Sequence, residues 1–186
     1  RVLVIGVFLA IVTGVLLLFL RQSLAFLTDN PLYAIAKLDI PGPMILTIEE
    51  VAALSGVAKG DNLLLLPIRE VRKRLLEHPN IKEAVVSRIL PNVLRISISE
   101  REPLAQISIG KNYLVDGEGA LLTWNDKFAQ REWPLIEGLD LKSSVVDNKI
   151  QSDPLMEVLQ ILKLFRGSVA ATRMEIQKVR LDEPGG

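Results

Sequence analysis

The chain has 186 residues, with 22 basic against 22 acidic side chains, 49% hydrophobic residues and no cysteine. A balanced charge gives no net field to draw it onto nucleic acid, and the lack of thiols excludes both a disulfide framework and a thiolate metal site. With one histidine, His78, no G-x-S-x-G elbow and no phosphate-binding glycine loop, the chain reads as non-enzymatic. No catalytic, cofactor-binding or metal-binding residue is assigned, and no small-molecule substrate is expected.

The first element is an uninterrupted apolar run, Val2 to Leu20, bracketed by Arg1 and Arg21. At the helical rise per residue it reaches about 28 Å, close to the hydrocarbon thickness of a bilayer. Residues 1–24 are therefore read as a transmembrane anchor. Ser23-Leu24-Ala25 resembles a signal-cleavage pattern, but the run exceeds the roughly 7–15 apolar residues of a signal peptide. Gly6, Ala10 and Gly14 fall four apart on one helix face, a candidate seam for packing against another transmembrane helix. A lone helix lines no pore, so the work falls to the remainder. A chain opening on arginine is expected to have lost an N-terminal piece.

Beyond the anchor, Ala36, Leu38 and Ile40 alternate with Lys37 and Asp39, which predicts a strand ended by Pro41-Gly42-Pro43. Thr47 and Glu50 form a capping box for a short helix with Ile48, Val51 and Leu54 on one face, closed by Gly56. A Gly60-Asp61-Asn62 turn leads to the apolar stretch Leu63–Leu66, expected beneath the domain. Pro67 opens a second helix, with Ile68, Val71 and Leu75 inward and Arg69, Glu70, Arg72 and Lys73 outward. His78-Pro79 stops it. Two strands follow, Ile81–Leu90 and Val93–Ser99, joined by Pro91-Asn92. The second alternates Leu94, Ile96 and Ile98 with Arg95, Ser97 and Ser99. One dry and one wet face suit a small sheet covered by helices on one side.

Leu38-Asp39-Ile40-Pro41-Gly42, Gly60-Asp61-Asn62-Leu63, Pro79 through Pro91 and Ile96 through Ala105 together resemble the successive signatures of the FtsQ/DivIB family of bacterial cell-division proteins. Tyr113 through Gly119 and Trp133-Pro134-Leu135-Ile136-Glu137-Gly138 resemble segments of that family's second domain. The resemblance implies an α+β chain: one transmembrane helix, a POTRA domain of strand-helix-helix-strand-strand order at 33–102, and a β-rich domain at 103–186. Within the latter, Asp153, Pro154 and the spacing of Leu155, Val158, Leu159, Leu162 and Phe165 predict an amphipathic helix ended by Gly167. Met174–Leu181 reads as one more strand or two short ones. The family is expected to continue into further strands after Gly186.

The resemblance further implies a scaffold in the inner membrane at the division septum, with a cytoplasmic N-terminus and soluble domains on the far side. It implies FtsB-like and FtsL-like bitopic partners and the septal peptidoglycan synthase complex. Asp116 and Glu118 fail as an EF-hand, because Lys127 stands where the bidentate acid belongs. What remains is binding by strand addition at sheet edges. The candidate partner-binding residues are Ile81, Lys82, Ala84, Val86 and Arg88 on one edge, and Met174, Ile176 and Val179 on another. Two rival readings share these residues: a POTRA-type polypeptide-transport module, which lacks the tandem copies and barrel strands expected of one, and a membrane-anchored cell-wall enzyme.

Overall fold

The computed structural model describes residues 2–138, 144–168 and 176–181. Helix α1, Val2–Asp29, contains a span, Val4–Ser23, long and apolar enough to cross a membrane. Gly6 and Ala10 are exposed along it, and a side chain built at Gly6 or Gly14 meets nothing within 4 Å. The expected element order then follows: β1 (Lys37–Asp39), α2 (Ile48–Ser55), α3 (Ile68–Leu76), β2 (Ile81–Ile89) and β3 (Val93–Glu100). β1 pairs parallel with β3, giving the order β1-β3-β2, so that β1 and β2 are the margins. The architecture is α+β, as the periodicities require.

Chain contacts divide the molecule into two compact units. The first holds Arg1–Gly42, Ile48–Arg74 and Val85–Ser97; the second holds Pro43–Thr47, Leu75–Ala84 and Ile98–Gly186. In the first unit, Ile35, Ile40, Val51, Leu63, Leu66, Val71, Leu94 and Ile96 are buried. Three details depart from the sequence pattern. The first strand is only three residues long and its neighbour Ala36 is exposed, while Ile35 takes the buried place. Ile35 N–H instead donates to Asp61 and its carbonyl accepts from Gly60, so a loop pairing has displaced the extension of the strand. In α2, Ile48 is exposed and Ser55 is buried, its hydroxyl donating to the Ala52 carbonyl and accepting from Val57 N–H.

The second unit is built on five strands: β4 (Pro103–Ile109), β5 (Lys111–Asp116), β6 (Leu121–Leu122), β7 (Leu135–Glu137) and β10 (Lys178–Arg180). Their order is β10-β7-β4-β5-β6, with β4 and β5 antiparallel and β4, β7 and β10 mutually parallel. A two-stranded ribbon, β8 (Val145–Val146) with β9 (Lys149–Ile150), adjoins the β6 end of this sheet, with Ile150 N–H donating to the Gly119 carbonyl and the Ile150 side chain in the same core. Helix α4, Asp153–Arg166, buries Leu155, Val158, Leu159 and Leu162 against Ala105, Ile107, Val115, Leu121 and Ile136. Each such side chain contributes about 1.5–3 kcal/mol by leaving water. Its N-cap is Ser152 rather than Asp153, and that serine makes no side-chain cap bond. The opposite face of the sheet carries a smaller cluster of Leu114, Leu122 and Phe128 with Ile45 and Trp133.

Candidate functional site

β2 stands at a margin of the three-stranded sheet, but its side chains are disposed differently from a simple alternation. In the first unit, Val86 is buried, and Arg88 turns back so that its Nε and Nη2 donate to the carbonyls of Leu63 and Leu66, each at 2.6 Å. Val85, 62% exposed, and Ile89 are the apolar side chains this margin offers to solvent, with Ser87 between them. In the second unit, Ile81 and Ala84 are buried and the Lys82 ammonium pairs with Glu118 at 2.6 Å. Burial of both Ile81 and Ala84 breaks strict alternation, so the parity of the exposed residues changes between them. No run of charges or apolar residues announces that change.

Of the second candidate group, Met174 lies outside the described residues. Ile176 and Val179 are half-buried and pack against the core beneath α4. What β10 offers is its backbone. Leu135 N–H donates to Gln177 and Leu181 N–H donates to Glu137, which in the observed parallel register turns the backbone groups of Gln177, Val179 and Leu181 toward β7. Those of Lys178 and Arg180 therefore point away from the sheet. The Glu137 carboxylate forms ion pairs across the strands with Lys178 at 2.8 Å and Arg180 at 3.9 Å. Gly138, with φ +92°, ends β7 where the Leu181 backbone occupies the space a Cβ would need; only glycine admits that approach.

The other margin of the same sheet, β6, is closed. Leu121 N–H donates to the Asn148 carbonyl, and the Asn148 amide returns a donor to the Leu121 carbonyl at 2.8 Å. Two residues on, the Asn80 side chain accepts from Thr123 N–H at 2.8 Å and donates to its carbonyl at 3.0 Å. An amide side chain here satisfies the outward groups as a neighbouring strand would. Glu100 braces the adjoining segment: its carboxylate accepts from the consecutive N–H groups of Met44, Ile45 and Leu46 at 2.6 to 3.0 Å. Lys127 donates to the Met44 carbonyl as well. Glu100 and Asn80 lie 55 and 43 residues from the backbone they hold, and no sequence spacing signals either.

Asp116 organises the Asp116–Gly119 turn from within. Only 5% exposed, it accepts from the N–H groups of Glu118 and Ala120 and from Arg101 at 2.7 Å. The hydrogen bond from Lys82 holds the Glu118 carboxyl below its ordinary range, and the same bond holds the Lys82 ammonium above its own. Both side chains are more than 40% exposed, so solvent screens the pair. His78 is spent on structure, its Nδ1 accepting from Asn80 N–H at 3.3 Å.

A helix long and apolar enough to cross a membrane, a strand-helix-helix-strand-strand sheet behind it and a strand-rich unit define a POTRA-bearing protein. The family model for the POTRA domain, FtsQ-type, matches residues 33–101. The cell division protein FtsQ of Geotalea daltonii is 25% identical over 154 residues, 83% of this chain and 56% of that protein. That of Geobacter sp. strain M21 is 28% identical over 138 residues, 74% of this chain and 50% of its own length. The cell division protein DivIB of Clostridium acetobutylicum is 25% identical over 124 residues, covering 66% and 50%. Residues 33–101 thus match the FtsQ-type POTRA domain, and the chain is similar to FtsQ and DivIB cell-division proteins, spanning about half the length of the curated relatives it matches.

Proposed function

We propose that this chain is a non-enzymatic, single-pass scaffold of the division machinery, which links early cytoplasmic division proteins to late septal peptidoglycan-synthesis proteins. In this reading α1 spans the inner membrane from a cytoplasmic N-terminus, and the two compact units stand on the far side at the septum. FtsB-like and FtsL-like bitopic proteins dock by adding an extended segment to a sheet margin, and the synthase complex is recruited through them. The observation that carries the reading is the outward turn of the Lys178 and Arg180 backbone on β10, in a sheet whose other margin is shut by Asn148 and Asn80. An unpaired row of N–H and C=O groups is the template on which a partner strand forms. Val85 and Ile89 on β2 are the residues of the second docking margin.

Arg180→Pro tests the reading, since it removes an outward N–H while leaving every backbone hydrogen bond to β7 in place and giving up only the long Arg180–Glu137 ion pair. Pull-down from membranes with the full-length protein is expected to recover the small bitopic partners, and the proline variant to lose them. Equal recovery by both would sink docking at β10. Depletion in the host is expected to give filaments without septa; normal septation under depletion would sink the divisome role itself.

A further inference from the structure

Trp133, two residues ahead of β7, is held from two sides. Its indole Nε1 donates to the Phe128 carbonyl at 2.9 Å, and its ring meets the Phe128 ring edge-on with centroids 6.4 Å apart. Onto this fixed ring two guanidinium groups converge, Arg131 with its Cζ at 5.7 Å from the centroid and Arg166 at 5.8 Å. They come from different elements, the turn after Phe128 and the last residue of α4. Arg166 Nη1 also donates to the Pro103 carbonyl at 3.0 Å, which orients that fork at the head of β4.

The arrangement concentrates positive charge without an internal ion pair among the described residues. Among the described residues neither guanidinium is in an ion pair, whereas Lys82, Arg95, Arg101, Lys178 and Arg180 each have a carboxylate. The negative face of the indole offsets part of the repulsion between the two cations but carries no net charge to neutralise them. Both arginines are exposed, and planar forks match carboxylates two bonds at a time.

We propose that Arg131, Trp133 and Arg166 form a clamp for an acidic peptide segment of a partner protein, independent of strand addition at β2 or β10. Two carboxylates engage the two forks, and the methylene stems of the acidic side chains lie on the indole. The separation of the forks is bounded by the sum of their distances to the ring. Acidic residues two or three apart on an extended chain, at about 3.3 Å per residue, span that range. A phosphate-covered membrane surface is matched instead by a spread field of lysine point charges, and the clamp has the opposite character: two oriented planes on one aromatic ring. With 22 basic and 22 acidic residues the whole chain exerts no net pull, so recognition of an acidic segment has to be local.

The test uses the 186-residue chain in detergent micelles with Trp124→Phe, which leaves Trp133 as its sole indole. An acetylated, amidated hexapeptide alternating glutamate with leucine is expected to change Trp133 emission saturably. Its glutamine counterpart is expected to bind at least about tenfold more weakly, and Arg131→Gln to weaken the glutamate peptide by about tenfold. Among the described residues the Arg131 side chain makes only the ring contact, so this variant leaves the Arg131 N–H bond to the Phe128 carbonyl and the Arg166–Pro103 bond intact. Arg166→Lys keeps charge and loses the fork, and is expected to weaken binding as well. The proposal is overturned by any of four results: no saturable change at millimolar peptide, equal affinity for the glutamine peptide, unchanged affinity in Arg131→Gln, or equal competition by glycerol phosphate, which would assign the clamp to lipid headgroups.

Discussion

The two margins of the five-stranded sheet solve the same problem in opposite ways. β6 is sealed: Asn148 and Asn80 supply amide donors and acceptors where a sixth strand would lie. Around it, Glu100 gathers the N–H groups of residues 44–46, so Ile45 packs onto Leu114, Leu122 and Phe128. β10 has no such amide among the described residues, and it is lined by the exchangeable charges Lys178, Arg180 and Glu137. A protein that docks partners by strand addition must leave one margin pairable and close the rest, because every open margin invites unwanted pairing. Stability is therefore concentrated at the sealed side, and the proposed docking falls at the other.

That contrast breaks first at Glu100. Glu100→Ala removes the acceptor of three backbone donors and is expected to cost about 2–4 kcal/mol in urea denaturation of the full-length chain in micelles. A loss below about 1 kcal/mol would show that water replaces the carboxylate and that the brace is incidental. Asn80→Ala is next: it strands both backbone groups of Thr123 beside a side chain only 2% exposed, with an expected loss of about 2–3 kcal/mol. Asn80→Asp keeps the acceptor alone, and recovery of part of that loss would assign the remainder to the amide donor.

Arg180→Pro sharpens the contrast from the other side. Its ion pair, at 3.9 Å and largely in solvent, contributes little, so stability is expected to change by less than about 0.5 kcal/mol while partner capture falls. A large destabilisation instead would mean that β10 is structural and not a free margin. The smallest effect belongs to Lys82 and Glu118. Glu118 has its carboxyl lowered in the fold, so its contribution is complete above the ordinary value of 4.5 and lost as pH falls through the lowered one. Lys82 is raised, so its contribution is complete below 10.5 and lost as pH climbs through the raised value. Glu118→Gln is expected to shave the acid limb of the stability profile slightly, and 1 M salt to erase the difference. A difference that survives salt would mean the pair is far less screened than its exposure implies.

Much of this protein was legible before any coordinates. The apolar run of α1, the Thr47 and Pro67 helix starts, the alternation in β3 and the heptad-like spacing of α4 are local periodicities, and each element lies where its pattern puts it. Side-chain disposition on β2 was not legible, because the change of parity between Ile81 and Ala84 is decided by what packs on either side of the strand. Ala36 was misread for a related reason: the Asp61 and Gly60 backbone claims Ile35, and a loop so far along the chain leaves no periodic mark.

The sequence by itself determined helices α1 to α4, including the apolar one long enough to cross a bilayer, and the strands of the first sheet, since those follow from repeats of two and 3.6 residues and from run length; the short strands β6 to β9 carry no such mark. Only the tertiary structure decided which strand lies at a margin, which margin Asn80, Asn148 and Glu100 close, and that Arg131 and Arg166 meet over Trp133. The physical reason is the range of the forces: periodic burial is written residue by residue along the chain. Directional hydrogen bonds and stacked cations join groups dozens of residues apart, and exist only once the core has brought them within a few ångströms.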